Sequence, residues 1–135
     1  MRYVPYDHEY EAARSMSEGE LLEYFLTRVF ETEEVWGLED EADWLFWETQ
    51  GQTCMPLWPY QKFAAEAAVG QWQHCQPQAE SLEVFLQGTL ELLIEEDVMV
   101  EIMPADNRPG CLVSPHRVKS ILEGMLDAGE YTLDQ

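Results

Sequence analysis

The chain has 135 residues, 46% of them hydrophobic, and 27 acids against 7 Lys and Arg give a net charge of -20. That length suits one domain able to close its own core, and five Trp, six Tyr and five Phe exclude a charged disordered chain poor in apolar residues. The sign of the charge argues against direct nucleic-acid binding, which neutralises phosphates with clustered Lys and Arg, and favours a basic protein partner instead.

Residues 1–16 show no sustained period and read as an N-terminal tail in which Tyr3, Tyr6 and Tyr10 stand among charges. The first 30 residues lack the basic-then-apolar pattern of a signal peptide, and no apolar run approaches the ~20 residues that span a bilayer, so a cytoplasmic protein without a membrane partner is expected. Order begins at Ser17-Glu18-Gly19-Glu20, a capping box. Leu21, Leu22, Phe25, Leu26, Val29 and Phe30 follow at helical spacing and predict a helix over about 18–31.

The period then shortens. Val35-Trp36-Gly37-Leu38 and Trp44-Leu45-Phe46-Trp47 read as strands of a hairpin whose turn is Glu39-Asp40-Glu41-Ala42-Asp43. Residues 31–48 hold eight acids and no base, which gives this edge a negative potential. Thr53-Cys54-Met55 is a third strand, pairing with 44–47. Pro56 and Pro59 hold Met55 and Trp58 extended, and Pro59 suits the first position of a second helix over about 59–69, ended by Gly70. Trp58 is thereby fixed where a sheet meets a helix, either plugging the core or forming a pocket wall with Trp36 and Tyr60.

Residues 71–78 read as a glutamine-rich connector, and Ser81 caps a third helix with Leu82, Phe85, Leu86, Leu90, Leu93 and Ile94 on its buried stripe. Val98–Met103 is a strand, 106–110 a turn, and Cys111-Leu112-Val113 the return strand. Ser114-Pro115 opens a last helix that reaches about residue 127, and 129–135 form a C-terminal tail. The expected domain is therefore 17–128, of α+β class: an antiparallel sheet of about five strands with four helices mainly on one face.

The order Val35-Trp36-Gly37-Leu38, Met55-Pro56-Leu57-Trp58-Pro59 before an alanine-rich helix, Ser81-Leu82-Glu83-Val84-Phe85-Leu86, a strand ending at Pro104, and Gly110 leading to Ser114-Pro115 resembles the small bacterial family catalogued as domain of unknown function 2750. The resemblance covers about residues 20–126 and implies a compact α+β domain, with no catalytic residue to carry over. Where such chains often have a plain acidic-glycine turn, this one has Glu39–Asp43, and a less regular, more acidic loop is expected.

Chemistry is sparse in the pattern. Cys54, Cys75 and Cys111 are odd in number and form no Cys-x-x-Cys pair, so they read as buried thiols in a reducing compartment. Adjacent His74 and Cys75 do not readily share one ion with structural-zinc geometry, and the usual ligand spacings are missing, so no metal or other cofactor is expected. Without a nucleophile elbow or a phosphate-cradling loop, an enzyme is not expected either. The leading reading is a non-catalytic protein-binding or regulatory module, inhibitory in the manner of an immunity protein, that uses Trp36, Trp58, Tyr60, Glu39, Asp40, Glu41 and Asp43 as its surface. The alternative is a small-molecule module with an aromatic pocket around Trp58.

Overall fold

The computed structural model describes residues 16–105 and 110–128. The two predicted tails lie outside the described residues, apart from Met16, as does most of the 106–110 turn. The described chain has four helices and two sheets and is of α+β class, as the sequence predicts.

Helix α1 (Glu18–Thr32) starts on the predicted capping box: Glu20 N donates to Ser17 Oγ at 3.3 Å, and Ser17 N donates to Glu20 Oε1 at 2.9 Å. All six residues of its apolar stripe are buried. The chain reverses through Glu33, whose φ of 59° is left-handed, and enters β1 (Glu34–Asp40). Asp40 pairs with Asp43 of β2 (Asp43–Trp44), leaving Glu41 and Ala42 as a two-residue loop with φ of 52° and 75°. Positive φ at both positions is what a type I′ hairpin needs, so the acids occupy a tight turn and not an irregular loop.

β3 (Trp47–Thr49) and β4 (Gln52–Leu57) form a second tight hairpin around Gln50-Gly51, with Trp47 opposite Cys54. After a 3₁₀ turn at Gly70–Trp72, residues 76–81 form a strand, β5 (Gln76–Ser81), where the sequence suggested a connector through residue 78 and a helix cap at Ser81. β5 pairs antiparallel with β1 over its whole length. Its sequence lacks apolar alternation because it is an edge strand whose residues are exposed or half-buried, and an edge also tolerates Pro77.

The sheets are β2-β1-β5 and β3-β4-β6-β7, where β6 is Met99–Ile102 and β7 Cys111–Val113. The single antiparallel sheet of about five strands is thus seven strands in two sheets, and β4 pairs with β6 in parallel, Cys54 opposite Met99. A hairpin-based reading could not supply that pair, since parallel neighbours need a long crossover. The sheets are joined at Trp36 and Trp58, which exchange backbone hydrogen bonds of 2.9 and 2.8 Å.

Helix α2 (Gln61–Ala67) is shorter at both ends than predicted. Tyr60, with φ -136° and ψ 150°, stays extended to bury its ring against Phe63, so Pro59 precedes the helix instead of opening it. Ala68 and Val69 leave helical dihedrals before Gly70 is reached. Helix α3 (82–95) is capped by Ser81, whose Oγ accepts from Val84 N at 3.1 Å, and widens into a π-turn over Phe85–Thr89. Helix α4 (Pro115–Asp127) begins with Ser114 Oγ accepting from Arg117 N.

Candidate functional site

The Pro-bracketed tryptophan belongs to the interior. Trp58 is 1% exposed and donates its indole N–H to Pro104 O at 3.0 Å. Trp72, from the stretch read as a connector, packs edge-on against both Trp47 and Trp58, with ring centroids 5.0 and 6.3 Å away. Trp36 and Tyr60 are also buried, and neither they nor Trp58 line the surface concavities described below or on α1. The aromatic part of the sequence-derived surface therefore fills the core.

The acidic part does reach the surface. Glu39 and Asp40 are half-buried, and Glu41, Ala42 and Asp43 are exposed. Glu39 and Asp43 line a concavity of ≈ 570 Å³, closed on its other sides by Trp44, by Gln78 and Glu80 of β5, and by Val84 at the start of α3. The Trp44 ring packs closely over Gly37 of β1, where a Cβ would lie 3.0 Å from the indole and force it to shift. Val84 is 54% exposed, which leaves an apolar side chain beside three carboxylates.

Glu80 is the carboxylate that sequence reasoning missed. It pairs with Val35 in the β1–β5 register and accepts a 2.6 Å hydrogen bond from Thr89 Oγ1 on the π-turn. Partial burial raises its pKa from its ordinary value, against the pull of the Thr89 hydroxyl. No pattern in Gln76–Ser81 marked it, since pairing with β1 and not local propensity makes that stretch a strand.

A second grouping sits at the end of β1. The register that pairs Glu39 with Gln76 carries Asp40 up to Cys75, and His74 lies in the turn just before. His74 Nε2 is 3.3 Å from Asp40 Oδ1 and 3.6 Å from Cys75 Sγ. The two side chains come together because His74 is in a turn, closed by Cys75 N donating to Trp72 O at 2.9 Å, whereas adjacent residues of an extended strand project to opposite faces. Burial, and secondly the Asp40 charge, push the Cys75 thiol pKa up.

All three cysteines are free and buried, as predicted. Cys54 has its pKa pushed up to about 12, first by burial and then by the neighbouring Glu101 charge. Glu101 is 0% exposed and accepts from Trp47 Nε1 at 2.8 Å and from Gly110 N at 3.1 Å. Among the described residues no helix is long and apolar enough to cross a membrane.

Fold and surface together define a small α+β domain with a closed aromatic core and an acidic concave edge. The chain belongs to the family described as Protein of unknown function (DUF2750), whose model matches residues 22–122. No curated protein matches it in sequence.

Proposed function

We propose that this protein is a non-catalytic binding module that captures a basic segment of another protein in the concavity between the β1–β2 turn and β5, in the manner of a regulatory or inhibitory protein. One observation carries this reading: Glu39, Asp43 and Glu80 surround a recess whose remaining walls include the Trp44 ring and exposed Val84. A Lys or Arg side chain matches it, because the cation meets carboxylates while its alkyl stem covers apolar surface, and an indole face also attracts a cation. The net charge of -20 steers such a partner in from a distance.

A small-molecule pocket around Trp58 has less support, since the indole is sealed against Trp72 and Pro104. A catalytic reading of Asp40, His74 and Cys75 is also weaker. Both partners lie against the same ring nitrogen, whereas a relay needs the acid on one nitrogen and the nucleophile on the other.

The test is affinity capture from native lysate with the parent and with a Glu39→Gln/Asp43→Asn variant. The expected result is a basic protein retained by the parent at low salt, released as salt rises, and retained at least tenfold less by the variant. Capture of the same protein by both, or no basic protein at low salt, would overturn the proposal. The variant's melting curve serves as the control for folding.

A further inference from the structure

Asp40, His74 and Cys75 offer three ligand atoms of different chemistry, a carboxylate oxygen, an imidazole nitrogen and a sulfur, all within 4.8 Å of one another. We propose that these three side chains form a binding site for a divalent d-block cation of the zinc class, with a fourth coordination position open to solvent.

Two of the three donor separations fit such an ion, and the third, between the Asp40 carboxylate and Cys75 Sγ, is within 4.8 Å. Zinc binds His nitrogen at about 2.0–2.1 Å, carboxylate oxygen at about 2.0–2.2 Å and thiolate sulfur at about 2.3 Å, which at tetrahedral angles sets nitrogen and oxygen about 3.4 Å apart and sulfur and nitrogen about 3.6 Å apart. The corresponding separations are 3.3 and 3.6 Å. Both sit on Nε2, and one ring nitrogen offers a single proton or a single lone pair. A cation placed among the three satisfies all of them through that one lone pair.

Charge and donor type narrow the ion further. A thiolate and a carboxylate balance a dication, and the neutral imidazole completes the set. On binding, the Sγ–H bond breaks, its proton leaves to solvent, and the sulfur pair forms the bond to the metal. Sulfur and nitrogen donors disfavour magnesium and calcium, which take oxygen ligands. The His74 and Asp40 side chains are 56% and 39% exposed, which gives the ion a path in and leaves the fourth position to water. Asp40 comes from the end of β1 and the other two ligands from the turn before β5, so the ion would pin together the edge that carries Glu39 of the concavity.

The decisive measurement uses the full-length, untagged chain, stripped with chelator and titrated with Co²⁺ in excess Mg²⁺ to occupy ordinary carboxylates. One equivalent of Co²⁺ should produce a near-ultraviolet thiolate-to-cobalt charge-transfer band with strong visible bands of four-coordinate cobalt, and Zn²⁺ should erase both. Cys75→Ser should abolish the charge-transfer band, while His74→Ala and Asp40→Asn should each weaken binding at least ~10–100-fold, the loss typical even of an outer-shell partner. No binding, binding without that band, a band that survives Cys75→Ser, or unweakened binding by His74→Ala would overturn the site. Should Cys75→Ser fail to fold, His74→Ala and Asp40→Asn, which alter one exposed and one half-buried side chain, decide the matter alone.

Discussion

The interior around Trp58 and the edge formed by β1, β2 and β5 contain the same kinds of side chain and use them in opposite ways. Inside, the Glu101 carboxylate is spent on Trp47 Nε1 and Gly110 N, and the Trp58 indole on Pro104 O. At the edge, Glu39, Asp40, Glu41 and Asp43 face solvent or a recess, with Trp44 half-buried beside them. The same contrast holds for thiols: Cys54 is sealed beside a committed carboxylate, while Cys75 touches a histidine open to water. A residue type therefore carries no role by itself here; the donors around it assign the role.

The contrast is most easily broken at Trp58. Trp58→Ala removes a fully buried ring and orphans Pro104 O, and should cost about 3–5 kcal/mol in urea unfolding. A variant within about 1 kcal/mol of the parent would show that the ring is not a packing residue. Next comes Glu101→Leu, which leaves the buried Gly110 N–H and the half-buried Trp47 Nε1–H without this acceptor. The expected net loss is about 1–3 kcal/mol, because removing the carboxylate also removes its own cost of burial. Unchanged stability would mean that the buried acid is dispensable to the core.

On the edge the expected effects are smaller, and one has the opposite sign. Ser81→Ala deletes the α3 cap and should cost about 1 kcal/mol by thermal melting. Ala42→Gly relieves a left-handed φ of 75° and should raise stability by up to about 1 kcal/mol, the strain released less the added chain entropy. A loss at Ala42 would show that the turn is not held in the conformation described.

The smallest effect is a pH slope. Because the folded-state pKa of Glu80 is raised, the folded chain takes up this proton before the unfolded chain does as pH falls. Its contribution to stability therefore grows as pH drops from neutral toward the ordinary carboxylate range and is lost as pH rises through the folded pKa. Glu80→Gln, whose amide oxygen still accepts from Thr89, should flatten that part of the stability profile. An unaltered slope would place the titration elsewhere.

Legibility in the sequence followed the same division. Three of the four helix starts were readable because their chemistry is local: Ser17 with Glu20, Ser81, and Ser114 with Pro115 each act within one turn, and all three caps are present, whereas α2 starts after Pro59. Strand β7 was read at 111–113, where it lies. Strand β5, the parallel β4–β6 pair and the π-turn were not legible, since each depends on residues remote in sequence or on packing. The acidic turn could be found from composition, but Glu80 could not, and neither could the approach of Asp40 to His74 and Cys75. Trp36, Trp58 and Tyr60 carried no sequence mark separating a buried ring from an exposed one, and burial decided it.

The parallel pairing of β4 with β6 has a consequence for how the chain is made. On a ribosome, β1 to β4 emerge well before β6, yet β4, already paired with β3, finds its second neighbour only when Met99–Ile102 appear, and the Trp58 indole finds its acceptor only at Pro104. Helix α1, among the first elements out, packs on β6 and β7, among the last. Until β6 is made, the nascent chain thus carries an open β4 edge and a Trp58 indole without its acceptor, and closure of the core waits for a segment remote in sequence. Chains terminated before β6 should accumulate as insoluble protein in vivo instead of as a smaller folded unit.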